Sequence, residues 1–433
     1  MKPTSIQIIE ILKKAGHEAY WAGGCVRDML LGIEPKDFDI VTSAKPEEIE
    51  DLLEHTIPIG KEFGVILAVQ NGHNFEIATF RSDSGYSDGR RPDAVTFTNA
   101  EEDAKRRDFT INGLFYDPIE DKVFDFIDGQ KDLDARLVRF IGDPNERINE
   151  DHLRILRAVR FKNQFDFQYH PETYKALEKH AKLANKVSAE RIREELNRIL
   201  LNPNTVKALE ELSELELLHE ILPEMQEMKG CPQPREYHHE GDVWDHSMKV
   251  FESLKPSAPL TLRWAALLHD IGKPATFEVK DRIRSDKHCE VGAEIARKLL
   301  NRLKFPKKDT DEICWVIAHH MMIVPLMQMP VGRRRHWFLD KRFPHLLELF
   351  RVDAAGIEPV DMTLFDEIFE LYKHDLTHMP TKPKPLLTGQ EVMEKLNLKP
   401  GEEVGKVLDQ IYEKQLASEI TNKEEALKFL DSL

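Results

Sequence analysis

Cysteine is scarce in this sequence: there are four in 433 residues, and none forms a C-x-x-C pair. Cys25, Cys231, Cys289 and Cys314 therefore argue against a disulfide scaffold or zinc ribbon and fit a reducing, cytoplasmic setting. Long apolar runs are missing too. Nothing approaches the ~20 apolar residues that cross a bilayer. The opening segment has helical period with Glu10, Lys13 and Lys14 inside it, unlike a secretory signal. Positive charge is in deficit, with a net charge of −16. The basic footprint of a general nucleic-acid binder is thus absent from the composition. A local basic groove can still coexist with an acidic exterior.

What is present is a charged chain with cores to build. Hydrophobic residues make up 41% and charged residues 32%. At roughly 150 residues per domain the length predicts two to four domains. The first ~130 residues alternate short apolar strands with helical patterns, which reads as an α/β or α+β head. The pattern predicts strands over 18–21, 37–41, 65–69, 75–80 and 94–97, with helices after Gly24 and over 46–53. From about Leu133 onward helical spacing dominates, as in Leu153, Leu156 and Val159. Cys231-Pro-Gln-Pro-Arg opens a His-rich helical stretch, and Pro380-Thr-Lys-Pro-Lys-Pro marks a break before a helical tail.

Chemistry concentrates first in Gly23-Gly24-Cys25-Val26-Arg27-Asp28, followed by Asp37-Phe38-Asp39. Two glycines before a helix let backbone N–H groups approach phosphate oxygens. Side chains two apart on a strand share a face, so Asp37 and Asp39 converge. Two carboxylates without a neighbouring cation suit Mg²⁺, which prefers hard oxygen ligands and substrate phosphates. Further on come Arg106-Arg107-Asp108-Phe109-Thr110-Ile111-Asn112 and Glu150-Asp151-His152-Leu153-Arg154-Ile155-Leu156-Arg157-Ala158-Val159-Arg160. In a helix, positions 151, 154 and 157 stack on one face. An ionised Asp only accepts hydrogen bonds and an Arg only donates. Together they match the Watson–Crick edges of cytosine and adenine, whereas uracil and guanine turn a carbonyl toward the Asp. Such a pair selects C and A without a nucleic-acid template.

These four motifs, in this order and spacing over 20–200, resemble the bacterial class II tRNA nucleotidyltransferase and poly(A) polymerase family. The resemblance implies an α+β chain: a polymerase-beta-like nucleotidyltransferase head, an all-helical neck and body, and a helical tail. It implies phosphate contacts from Gly24 and Arg27, and Mg²⁺ ligation by Asp37 and Asp39. It also implies ribose or phosphate contacts from Arg107 and Asp108, base reading by Asp151 and Arg154, and triphosphate contacts from Arg157 and Arg160. Ser188-Ala189-Glu190-Arg191-Ile192-Arg193-Glu194-Glu195 resembles the family's later neck motif, a supporting element. In such sites two Mg²⁺ about 4 Å apart clamp the attacking 3′-hydroxyl and the leaving pyrophosphate, and Glu76 is the candidate third carboxylate. The implied partners are tRNA, ATP and CTP, with no membrane. Arg81–Asp93, rich in Gly, Ser and Asp, is expected to be a mobile loop. In the family such a loop accompanies addition of the final A, which disfavours CC-only addition. CCA, A-only and poly(A) addition all remain open.

A second constellation lies in the His-rich stretch. His246, His269-Asp270, His288, His319-His320 and Asp353 are ligand types suited to first-row metals. His246, His269, Asp270 and Asp353 resemble the HD phosphohydrolase superfamily, with His288, His319 and His320 as a source for a second metal. Mn²⁺, Co²⁺ or Ni²⁺ would suit the site. The resemblance implies phosphatase or 2′,3′-cyclic phosphodiesterase activity. A rival of another class is an HD phosphohydrolase with a degenerate head, against which the intact Asp37, Asp39 and Arg107 weigh. The expected boundaries are a head over 1–133, neck and body over 134–225, an HD domain over 226–365, and a tRNA-binding tail over 366–433. The basic runs 333–335 and 304–308 are further candidates for phosphate contact.

Overall fold

The computed structural model describes residues 1–86, 89, 92–234, 239–378 and 381–433. Ser87, Asp88, Arg90 and Arg91 of the expected loop lie outside the described residues, as do Arg235 and Pro380 of the two proline-rich breaks. The chain divides into two compact units, Met1–Ile221 and Leu222–Leu433.

The first unit is built on β1 (Ala19–Ala22), β2 (Ile40–Thr42), β3 (Thr56–Gly60), β4 (Val65–Gln70) and β5 (His73–Thr79). A hairpin of β6 (Arg81–Ser84) and β7 (Ala94–Phe97) follows, then β8 (Phe115–Asp117) and β9 (Lys122–Phe124). Seven of these form one sheet in the order β3-β4-β5-β2-β1-β8-β9. Its pairs are antiparallel except β2 with β5, which run parallel with Ile40 beside Ile77. β1 sits near the middle, buried throughout. Because strand side chains alternate, Tyr20 and Ala22 enter one core with Val41, Phe80, Ala104 and Phe115. Trp21 faces the other way, packing its tilted ring 4.7 Å from Phe38 and donating its indole N–H to Ser5 Oγ at 3.0 Å. Ser5 belongs to the amphipathic helix Lys2–Lys14, which buries Ile8, Ile9 and Leu12. β3, with Ile57 and Ile59 exposed, lies at the sheet edge, where Pro58 is tolerated.

Two expectations change here. Asp37 and Asp39 do not lie within a strand, because β2 starts at Ile40. They form its lead-in, with Phe38 buried between two exposed aspartates, so the predicted two-residue alternation survives. The segment expected as a mobile loop begins as paired strand, with Arg81 opposite Phe97 and Ser84 opposite Ala94, the residue that follows the segment.

Below the sheet come the helices Pro144–Glu150, Arg154–Phe165, Pro171–His180, Ala189–Leu200 and Thr205–Glu214. Helix Arg154–Phe165 packs against Ala189–Leu200 and Thr205–Glu214. Asp151 is not in its helix. The chain breaks after Glu150, Asp151 adopts extended angles (φ −146°, ψ 105°), and the helix restarts at Arg154.

Among its described residues the second unit is helical, apart from a small hairpin at Glu278–Val279 and Ile283–Arg284. Helices Val243–Glu252, Leu260–Leu268, His288–Arg302, Lys307–His319 and Phe343–Gly356 pack on one another. Leu260–Leu268 is buried nearly all round, with Trp264 and Ala265 to Leu268 at 0% exposure, as a central helix must be. Gly272 follows it at a close approach. A Cβ there would stand 2.1 Å from His288 O and 2.6 Å from Gly292 N, so only glycine lets the turn press against helix His288–Arg302. The tail helices Gly389–Leu396, Glu402–Leu416 and Lys423–Leu430 close around Val392, Val404, Ile411, Ala426 and Leu430. Arg334 and Arg335 of the basic run do not present a solvated face. Arg335 donates to Leu416 O at 2.9 Å and to Asp375 at 3.1 Å, and Arg334 lies 3.9 Å from Asp375.

Candidate nucleotidyl-transfer and metal sites

The parallel pairing of β2 and β5 places Ile40 opposite Ile77. Asp39, in the lead-in to β2, and Glu76, on β5, each precede these partners by one residue and therefore stand side by side, with Asp37 on the same exposed face as Asp39. Their mutual field is visible in Asp39, whose carboxyl is pushed up to about 6. Packing by surrounding protein is the largest cause, followed by repulsion from Asp37 and Glu76, while Arg107 pulls the other way. The structure thus brings together Asp37, Asp39, Glu76 and Arg107.

Arg107 is held from behind. Its Nε and Nη2 both donate to Asp103 Oδ2 at 3.2 Å, and it stacks over Phe115 at 5.0 Å. Gly23, at φ +70°, makes room for it, because a Cβ there would lie 2.9 Å from Arg107 Nη1. Gly24 begins the helix Gly24–Leu30. Arg27 is buried: it donates to Asn112 Oδ1 at 2.6 Å and to Asp28, and lies over Phe161 and Phe165. It braces the motif rather than reaching into solvent.

Asp108 accepts from Arg157 Nε at 2.7 Å and from Asn112 at 3.0 Å. Burial would raise its carboxyl, but Arg157 and Asn112 hold it well below the usual carboxylate range. Arg160 donates to Glu195 at 2.6 Å, and Arg157 lies 3.8 Å from Glu195. Asp151 accepts two bonds from Arg191, at 2.9 and 2.7 Å. Arg154 donates through Nη1 to Glu150 at 2.6 Å and to Arg147 O at 2.8 Å. These described partners of Arg154 all fall on Nη1, while Asp151 Oδ1 also accepts from Leu153 N–H at 3.1 Å, which leaves the second lone pair of Oδ2.

In the second unit His246, His269, Asp270 and Asp353 converge although 107 residues separate the first from the last. His246 Nε2 is 3.0 Å from Asp353 Oδ1, and His269 Nε2 is 3.1 Å from Asp270 Oδ2. His269 donates Nδ1–H to Ala266 O at 2.8 Å, which turns its Nε2 lone pair inward. That nitrogen is buried without a hydrogen bond. His246 is pushed up to about 9: its burial opposes the charge, but the hydrogen bonds it donates to Asp353 and Glu240 prevail. Among the described residues two trios have ligand atoms within 4.8 Å of one another. They are His246/His269/Asp353 and His288/Cys289/His320; the head carboxylates are more open. His319 is outside both trios, donating to Trp315 O at 2.7 Å and packing against Trp337 with its ring 5.4 Å away.

These geometries can be set beside known proteins. Residues 19–139 match the Poly A polymerase head domain, 166–229 its RNA- and SrmB-binding region, and 237–336 the HD domain. A CCA-adding enzyme of Ligilactobacillus salivarius (strain UCC118) is 31% identical over 98% of this chain and 94% of that protein. Another, from Lactococcus lactis subsp. cremoris (strain MG1363), is 32% identical over 97% and 93%. The chain belongs to the CCA-adding enzyme family.

Solved structures agree with that membership. The Bacillus stearothermophilus CCA-adding enzyme in complex with CTP superposes with a TM-score of 0.73 at 27% identity, over 99% of this chain and 96% of that one. The Thermotoga maritima CCA-adding enzyme complexed with tRNA shares the fold, with a TM-score of 0.59 at 20% identity. A nucleotidyltransferase head and an HD domain both imply divalent metal dependence. The residues present fit that requirement. The head offers hard carboxylate oxygens that repel one another, and the HD cluster offers a buried imidazole nitrogen with no hydrogen-bond partner.

Several residues in this CCA-adding family member escaped sequence reasoning. Asp103, fully buried, anchors both Arg106 and Arg107. Its only signal was a position i−4 from Arg107 in a helical stretch. Lys273 pairs with Asp270 at 2.7 Å, and Cys289 joins the second trio. Cys289 adjoins His288 in sequence, but nothing local announced that His320 would meet it. No helix is long and apolar enough to cross a membrane among the described residues.

Proposed function

We propose that this chain adds CCA to the 3′ end of tRNA without a nucleic-acid template, taking CMP from CTP and AMP from ATP. The carrying observation is the group Asp37, Asp39 and Glu76 set opposite Arg107 where β2 and β5 pair. Asp37 and Asp39, with Glu76 beside them, would hold Mg²⁺, which when bound supplies Lewis-acid stabilisation of the phosphoryl oxygens and the attacking hydroxyl. Arg107, fixed by Asp103, meets the negative charge of the triphosphate, and the Gly23-Gly24 turn lets the chain come close to it. Asp151 and Arg154 present an acceptor and donors to the base, admitting C and A. The Asp108–Arg157 and Arg160–Glu195 ion pairs set the position of the helix Arg154–Phe165. The domain assignment follows: head over 1–133, neck and body over 134–225, HD domain over 226–365, and a tRNA-binding tail over 366–433.

The test is incubation with tRNA lacking CCA, tRNA ending in CC, and an unrelated RNA, each NTP supplied separately and products sequenced. CMP, CMP and AMP on the first substrate support the reading. AMP only on the CC end, or long A tracts on any RNA, would assign A-only or poly(A) addition instead.

The His246, His269, Asp270 and Asp353 cluster supports a second, hydrolytic activity on phosphomonoesters or 2′,3′-cyclic phosphates. A cyclic phosphate blocks the hydroxyl that the head uses as nucleophile, so clearing it would restore a substrate end. Mn²⁺, Co²⁺ and Ni²⁺ are the metals to supply in that assay.

A further inference from the structure

A cavity of about 380 Å³ opens in the first unit, lined by side chains that neither nucleotide addition nor hydrolysis uses. A pocket of that size holds a small molecule or a single base. Three helices and a short strand build it. Lys162 comes from the helix Arg154–Phe165, Tyr169 from the strand Gln168–Tyr169 and Tyr174 from the helix Pro171–His180. Glu211 and Glu214 come from the helix Thr205–Glu214. The lining joins flat apolar surface to charge. Tyr174 is 41% exposed, and its ring stands 6.0 Å from that of Tyr169. An open tyrosine ring at a cavity is a surface on which a nucleobase stacks.

The polar groups are arranged by what they already hold. Lys162 Nζ donates to Glu211 Oε2 at 3.1 Å, and Asn163 donates to the same oxygen, so Glu211 fixes the ammonium in place. Glu214 lies three residues on, hence on the same helix face. It is exposed and makes no hydrogen bond or ion pair among the described residues, which leaves both its oxygens as acceptors. Tyr169 Oη is buried without a hydrogen bond. Burial and the Glu211 charge hold its phenol well above the ordinary value, so it keeps its proton and remains a donor.

Carboxylates only accept and an ammonium only donates. Among the four bases, guanine alone sets two N–H donors side by side on its Watson–Crick edge, at N1 and N2, with the O6 acceptor beyond them. The two donors fit the two oxygens of one carboxylate, and O6 fits an ammonium or hydroxyl. Cytosine and adenine place a bare ring nitrogen beside their amino group, which a carboxylate repels. Uracil has a single N–H between two carbonyls. The lining carries one cation against two carboxylates, so it offers nothing to a triphosphate and reads the base instead.

We propose that this cavity binds a guanine base. Tyr174 stacks on its face, the Glu214 oxygens accept N1–H and N2–H, and Lys162 with the Tyr169 hydroxyl donates to O6. The site thus takes the base that the Asp151 and Arg154 pair rejects. Most of the lining falls within residues 166–229, the stretch that matches the RNA- and SrmB-binding region. An unpaired guanosine of an RNA strand presents this edge, and so does a free guanine nucleotide.

Fluorescence polarisation of the full chain with short single-stranded RNAs, one central base varied in a run of uridines, tests the reading. Guanosine at the centre should bind about tenfold tighter than adenosine, cytidine or uridine, the discrimination of one good bidentate pair. Inosine, which lacks the 2-amino group, should lose most of that margin. Calorimetric titration with guanosine monophosphate separates the two sources. Binding with the same preference assigns free nucleotides as well, whereas a preference confined to RNA assigns the base within a strand. Glu214→Gln, which turns an acceptor into a donor, should abolish the guanine preference. Tyr174→Ala should weaken all four RNAs alike, because stacking is blind to the base edge. Photolabelling of the wild-type chain with 8-azidoguanosine, mapped by peptide mass spectrometry, stands apart from any variant. The label should fall on the segment 168–174 and be displaced by excess guanosine. Equal affinity for all four bases in both assays, a preference that survives Glu214→Gln, or a label outside the lining overturns the proposal. None of these readouts depends on nucleotide addition or on phosphoester hydrolysis.

Discussion

Asp103 carries two arginines from a position with no solvent exposure, bonding Arg106 at 2.6 Å and Arg107 at 3.2 Å. Burial alone would raise its carboxyl, but the Arg107 and Arg106 guanidinium groups hold it below the ordinary value. A depressed carboxylate contributes stability that is present above the unfolded pKa of about 4 and lost as pH falls through the folded one. Asp103→Asn should therefore lower stability by about 3–5 kcal/mol near neutral pH, since it strands two guanidinium groups. It should also flatten the acid limb of a urea-melt series measured between pH 6 and pH 3. Asp39→Ala is different in kind, because it removes an exposed carboxylate that its neighbours already repel. Nucleotide addition should be abolished with the melting temperature unchanged; retained incorporation above a few per cent would dismiss the metal-ligand role. For Asp151→Ala, UTP and GTP should begin to compete, a loss of about 1–3 kcal/mol of discrimination. Arg191→Ala should produce a smaller change in the same direction, because Arg191 grips both Asp151 oxygens. Single-NTP competition assays read both.

Among the elements, the break between helices Pro144–Glu150 and Arg154–Phe165 matters most to the head. A continuous helix would have placed Asp151 and Arg154 one turn apart on one face. The break instead turns Asp151 toward Arg191 on another helix, so the proposed acceptor is set by tertiary pairing rather than by helical spacing. The turn after Leu260–Leu268 has a comparable role in the second unit. Gly272→Ala would place a Cβ 2.1 Å from a backbone carbonyl and 2.6 Å from a backbone nitrogen, neither of which can rotate away. The variant should lose about 1–3 kcal/mol or more by overpacking. It should also weaken Co²⁺ binding by pushing Asp270 from His288, which calorimetry and metal titration would measure together.

At the scale of the molecule, the chain divides into two compact units, and each carries its own constellation of ligands. Lesions in one should spare the other. His269→Ala with Asp270→Ala should remove metal-dependent hydrolysis while extension of a tRNA with an intact 3′-hydroxyl continues. The same variant should fail on tRNA ending in a cyclic phosphate. Equal extension of both ends would dismiss the coupling between the two activities.

Much of this was legible in local sequence, for a physical reason. Motif order, the Asp-x-Asp alternation and the His-Asp pair ending an apolar helix are short-range patterns, and backbone geometry imposes them wherever the chain is helical or extended. Strands such as β7 and helices such as Lys2–Lys14 follow from period alone. What lay beyond reach depends on contacts between residues far apart in the chain. Glu76 is a candidate from its strand, but its place beside Asp39 depends on the parallel pairing of β2 with β5. Asp103, Arg191 and Cys289 acquire meaning only when Arg107, Asp151 and His320 arrive next to them. Period and propensity report the face a side chain is on; which partner fills the space opposite is decided by packing, and packing is a property of the whole fold.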